Sequence, residues 1–83
     1  MEFSTRSISI MLQNNDLVGS LPPDIGNLRA LRALNVQSNR LKGDIPASIG
    51  NCVCLTLLNI SDNDIIFDRL LLQNALRSCK LVV

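Results

Sequence analysis

The sequence predicts an α/β solenoid, a short stack of similar coils with a small parallel sheet on the concave face and extended or 3-10 segments on the convex face. Three observations predict it. A set of residues recurs at an offset of 24 positions. Each copy opens with an apolar–polar alternation that reads as a short, half-buried strand. The apolar residues are almost wholly aliphatic, with fifteen Leu and eight Ile against two Phe and no Trp or Tyr. Such a chain suits a packed aliphatic array better than a compact core, which usually leans on aromatic side chains.

Asn15, Asn39 and Asn63 stand 24 residues apart, as do Ile10, Leu34 and Leu58, then Leu12, Val36 and Ile60, then Leu17, Leu41 and Ile65. Gly19 returns as Gly43, Leu21 as Ile45, Pro22 as Pro46, Ile25 as Ile49 and Gly26 as Gly50. In the second copy, Leu34-Asn35-Val36 is the strand, with Leu34, Val36 and Leu41 pointing inward and Asn35, Gln37 and Ser38 outward. Asn39 sits where the chain bends in, and its amide can satisfy backbone groups left over by the bend. Asn15, Asn39 and Asn63 are therefore expected to form a structural ladder between coils. Gly43 permits a positive φ at the next turn. Ile45-Pro46 favours extended backbone, and Pro46 can open one helical turn that Gly50 ends. No coil can bury its own apolar edge, so the coils must stack. The lead-in is residues 1–6, the repeats occupy 7–67 (7–30, 31–54 and a partial 55–67), and 68–83 is a helix or irregular segment leading into a truncated further repeat.

Composition removes several functions. The chain has 83 residues, at most one small domain. It has no His, which removes His-based triads, His metal sites and the usual base near neutral pH. Neither a nucleophile–base pair nor a phosphate loop is present, so the chain reads as non-catalytic, with no cofactor and no metal site. A net charge of +1 gives no electrostatic footprint for nucleic acid or anionic membrane. No apolar run is long enough for a membrane segment, and the start is too interrupted for a secretory signal. Three cysteines, Cys52, Cys54 and Cys79, fit a disulfide framework poorly. Cys52 takes the place of Leu28 and reads as a small buried hydrophobe. An offset of 27 between the tail and the second copy would set Cys79 above it, as two buried thiols.

The strings Gly19-Ser20-Leu21-Pro22-Pro23-Asp24-Ile25-Gly26-Asn27-Leu28 and Gly43-Asp44-Ile45-Pro46-Ala47-Ser48-Ile49-Gly50-Asn51 resemble the plant-specific leucine-rich repeat. That repeat is typical of the ectodomains of plant receptor-like kinases and receptor-like proteins, and it also occurs in polygalacturonase-inhibiting proteins. The resemblance covers roughly Ser7 to Ile65. It implies a leucine-rich-repeat array that recognises a protein, peptide or co-receptor in signalling or defence, at the extracellular face of the plasma membrane or the cell wall. The alternatives are a secreted inhibitor of a cell-wall-degrading enzyme and a truncated gene product without independent function. The third copy departs from the pattern: Ile66-Phe67-Asp68-Arg69 replaces Gly-x-Ile-Pro. The family's paired-cysteine cap and a kinase signature are not matched, so the chain is expected to be an internal slice of a longer solenoid or the product of a truncated gene. Uncapped ends of this kind favour self-association.

By the resemblance, ligands meet the outward strand residues. These fall in columns: Ser9, Ala33 and Leu57; Met11, Asn35 and Asn59; Gln13, Gln37 and Ser61; Asn14, Ser38 and Asp62. Met11 and Leu57 are their apolar spots. Arg40, expected on the same concave face as a ligand contact, follows the ladder between Asp16 and Asp64 and could bridge both acids, which would support register by ~0–1 kcal/mol per pair. Asn59-Ile60-Ser61 is a glycosylation sequon that matters only in the secretory route. Asp68 to Cys79 is predicted as an amphipathic helix capped by Asp68, with Leu72, Ala75 or Leu76, and Cys79 on one face.

Overall fold

The structure, a computed structural model, describes residues 7–83, so the lead-in 1–6 lies outside it. In the first coil the chain runs through β1 (Ile8–Met11) and β2 (Val18–Gly19) to a 3-10 turn at Pro23–Asn27. The second coil repeats this with β3 (Leu31–Asn35), β4 (Arg40–Asp44) and a 3-10 turn at Ala47–Asn51. The third coil holds β5 (Leu57–Asn59), β6 (Asp64–Ile66) and a helix, α1 (Arg69–Ala75), and β7 (Lys80–Val82) follows. All pairings are parallel, in two sheets ordered β1-β3-β5-β7 and β2-β4-β6. The sequence predicts the first sheet. The second arises because the extended segments after each ladder asparagine also lie side by side.

Stacking decides burial. Leu31, Leu34 and Val36 of the middle coil are at most 2% exposed, and Leu58 and Ile60 of the third coil join them in the core. The first-coil copies of Val36 and Leu41 are Leu12 and Leu17, and these remain 43% and 38% exposed. They have a described coil on one side only. Between the first and second coils the convex turns meet closely: Ser48 Oγ donates to the Pro23 carbonyl at 2.6 Å, and Gly26 is buried against Ser48. Gly19 and Gly43 take positive φ, 94° and 83°, as expected of Gly43. Asn14, Ser38 and Asp62 also take it, at 60°, 59° and 56°. The chain enters the left-handed region just before each ladder asparagine, where, glycine apart, short polar side chains are the best tolerated.

In the third coil an α-turn replaces the 3-10 turn. Asp68 caps it, accepting from the Leu70 and Leu71 amides at 3.0 and 3.1 Å. Leu72 and Leu76 face the core, while Ala75 is exposed. The helix is shorter than the predicted 68–79, because the Leu76 backbone (φ −124°) leaves the helical region and returns the chain to the sheet. The backbone bonds also correct the 27-residue offset. Leu31 N–H donates to Leu28 O, Leu55 N–H to Cys52 O and Cys79 N–H to Leu76 O, at 3.0, 3.0 and 3.1 Å. Cys79 thus occupies the place of Leu55, 24 residues on, and does not stack over Cys52. The further repeat begins within 68–83 as a strand, β7, with Lys80 N–H bonded to Thr56 O at 2.8 Å. The register sets Val18 beside Arg40 and Lys42 beside Asp64, so Asp16, Arg40 and Asp64 do not form the column that a uniform offset suggests.

Candidate recognition face

The β1-β3-β5-β7 sheet aligns the outward residues. Ser9, Ala33 and Leu57 are register partners, continued by Lys80. Met11, Asn35 and Asn59 are likewise aligned, continued by Val82. Met11 is half exposed and Leu57 half-buried, whereas Ala33 is only 9% exposed and offers little surface. The polar columns are bonded among themselves. Asn35 Oδ1 accepts from the Gln37 amide at 3.1 Å, and Asn59 Oδ1 accepts from the Ser61 amide at 3.1 Å and from Ser61 Oγ at 2.7 Å. Asn59 Nδ2, the atom a glycan would modify, donates to Gln37 Oε1 at 3.3 Å. Asn35, Gln37, Asn59 and Ser61 therefore form a preordered, half-buried polar strip. Gln13 and Asn14 are exposed beside the first strand, and Ser38 and Asp62 sit on the left-handed turns that close the next two.

Arg40 is not on this sheet. It is exposed at the start of β4, in the second sheet. Two cations lie on the first sheet, Arg32 in β3 and Lys80 at the start of β7. Arg32 Nε donates to Ser7 Oγ at 2.8 Å, and Thr56, between them, donates Oγ1–H to Arg32 O at 3.1 Å. Lys80 pairs with Leu57 and not with Thr56, so the 24-residue spacing of positions 32, 56 and 80 does not make a register column.

The ladder asparagines lie beneath the strip. Asn39 Nδ2 donates to Leu12 O and Val36 O, both at 2.9 Å, and its Oδ1 accepts from the Leu17 amide at 3.1 Å. Asn63 repeats this with Val36 O at 2.8 Å and the Leu41 amide at 3.0 Å. Among the described residues, Asn15 reaches only Leu12 O and Gln13 O of its own coil, at 3.0 and 3.2 Å. The ladder runs through main-chain groups and not from one amide side chain to the next.

The three thiols are free. Cys52 is buried, donates to Ile25 O at 3.3 Å, and burial pushes its thiol pKa up. Burial also raises Cys79, partly offset by a backbone hydrogen bond from Leu58. Among the described residues no group of three or more His, Cys, Asp or Glu could hold a metal ion, and no helix is long and apolar enough to cross a membrane.

Comparison with known proteins places this geometry. The family model described as Leucine Rich Repeat matches residues 8–28 and 30–52, more than half of the chain. No curated protein matches at a significant level. Among solved structures, the chain is similar to the ectodomain of the plant membrane receptor kinase GASSHO1/SCHENGEN3 from Arabidopsis thaliana, in complex with CASPARIAN STRIP INTEGRITY FACTOR 2. The identity is 40% over 69% of this chain and 7% of that one, with a TM-score of 0.67. It is also similar to the PEPR1-AtPEP1 structure, at 36% identity over 89% of this chain and 10% of that one, with a TM-score of 0.70. The chain spans a tenth or less of the length of these solved chains. The repeated coils, parallel sheet, inter-coil asparagines and matched repeats have one reading: the chain belongs to the leucine-rich repeat family.

Proposed function

We propose that the chain is a non-catalytic recognition module, part of a plant receptor ectodomain that binds a protein or peptide partner in signalling or defence, outside the cell. The observation that carries this reading is the preordered strip of Asn35, Gln37, Asn59 and Ser61, with Met11 and Leu57 as the apolar spots in its columns. Its polar groups are held in place before any partner arrives, so little ordering opposes binding. Gln13, Asn14, Ser38 and Asp62 border the strip, and Arg40 flanks it from the second sheet. The two similar ectodomain structures support a protein or peptide as the partner. Three to four strands present less than the ~20–30 residues per side of a standard interface, so the chain supplies a share of the footprint and neighbouring coils supply the rest.

The test is titration calorimetry on the ectodomain that contains this segment, with its ligand. Leu57→Asp and Asn35→Lys are expected to weaken binding about tenfold or more, as for residues central to an interface. Asp24→Lys, on the convex side, is expected to leave affinity unchanged. Loss of affinity in Asp24→Lys with normal binding by the Leu57 variant would refute the concave face as the recognition surface.

A further inference from the structure

We propose that the groove between the second 3-10 turn and α1 docks an apolar peptide segment that carries a cationic side chain, on a face separate from the concave strip. The groove exists because the third coil leaves the repeat pattern. The first two convex turns stack in close contact at Gly26 and Ser48. At the equivalent Gly50, the nearest atom of α1 is Ala75 Cβ, and even a Cβ built on Gly50 would stand 3.5 Å from it. α1 thus rides higher than a 3-10 turn and leaves a groove of about 630 Å3. Ile45 and Phe67 are its half-buried walls, and Ile66 and Leu71 border it at 64% and 68% exposure.

Charge selects the occupant. Among the described residues, the only charged ones lining the groove are Asp44 and Asp68. Asp44 stands beside Ile66 across the β4–β6 pair. Asp68 spends Oδ1 on the two capping amides, which leaves Oδ2 for a partner. Arg69 of α1 and Arg77, just beyond it, line a different depression together with Gln73 and Cys79. A Lys or Arg end is therefore drawn to the groove and an acidic one repelled, while apolar side chains cover Ile66 and Leu71. The size is that of an ordinary ligand cleft, about 300–1,000 Å3. Because its borders are exposed, the occupant must bring a covering surface of its own, as a peptide segment does and a small solute does not.

The test uses the full chain and two labelled octapeptides of Leu and Ala, one ending in two Lys and one in two Glu, read by fluorescence anisotropy and by amide chemical-shift mapping. The lysine peptide is expected to bind about fivefold tighter, the sum of two exposed charge pairs, and to shift the Ala47, Ile66 and Leu71 amides. Leu71→Asp and Ile66→Ser alter exposed positions, so circular dichroism should be unchanged while binding falls. Asp44→Lys should remove the preference for the lysine peptide. Equal binding of the two peptides, shifts confined to Asn35 and Asn59, or dimerisation of the free chain that Leu71→Asp abolishes would each overturn the proposal.

Discussion

Asn39 binds the main chain of the coil before it: its Nδ2 donates to the Leu12 carbonyl at 2.9 Å. The same amide accepts from Leu17, so one side chain closes both edges of a gap that the bending backbone cannot close itself. Asn63 does this one coil later, and Asn15, at the start of the described stack, bonds within its own coil.

This difference orders the stability of three substitutions. Asn39→Ala and Asn63→Ala each leave an amide and carbonyls unpaired and should lower stability by about 2 kcal/mol. Asn15→Ala should lower it by less than half as much, since its described bonds stay within its own coil. Gln37→Ala loses a single contact with Asn59 and should also be mild. Urea titrations give the four midpoints. Equal midpoints for Asn39→Ala and Gln37→Ala would remove the inter-coil role.

Two glycines one coil apart should answer differently to the same change. A Cβ on Gly26 would lie 2.5 Å from Ser48 O and 2.7 Å from Ser48 Cβ, so Gly26→Ala must push the turns apart. The expected loss is about 1–3 kcal/mol, typical of overpacking. Gly50→Ala meets Ala75 Cβ at an ordinary 3.5 Å and should be neutral or slightly stabilising. Thermal melts that rank Gly50→Ala as the more damaging would show that the close contact is misplaced.

Ser38 sits at φ 59° where its counterparts are Asn14 and Asp62. Asparagine tolerates the left-handed region better than serine does. Ser38→Asn should therefore raise stability by about 0.5 kcal/mol, and Ser38→Val should lower it by about 1–2 kcal/mol. Denaturation free energies of the two variants test the sign.

The thiols should separate by reactivity. Cys54 is exposed and Cys52 is buried, so alkylation of the folded chain at pH 8 should label Cys54 first and Cys52 only on unfolding. Burial raises Cys52 and Cys79 above the usual thiol value of 9.0. The folded state then holds protons that the unfolded state releases, so stability is full below pH 9 and falls as pH rises through the raised values. A rise in stability above pH 9 in the wild-type chain, absent when both cysteines are replaced by Ala, would reverse this assignment.

The residues themselves determine what each position does inside its own coil. Leu34 and Val36 turn inward because a strand alternates, Gly43 takes positive φ because it lacks Cβ, and Asp68 caps α1 because its carboxylate can reach two free amides. The columns of the recognition face follow from the same 24-residue spacing. Tertiary structure decides what lies above and below. Leu12 and Val36 share a place in the repeat, yet one is 43% exposed and the other 2%, because burial depends on the neighbouring coil. Cys79 falls over Leu55, although the tail matches the second copy at an offset of 27. α1 takes the place of the 3-10 turn within a coil of unchanged length, since Leu55 to Cys79 spans 24 residues as Leu31 to Leu55 does. Arg40 leaves the concave face for the second sheet, which forms only when successive coils lie side by side.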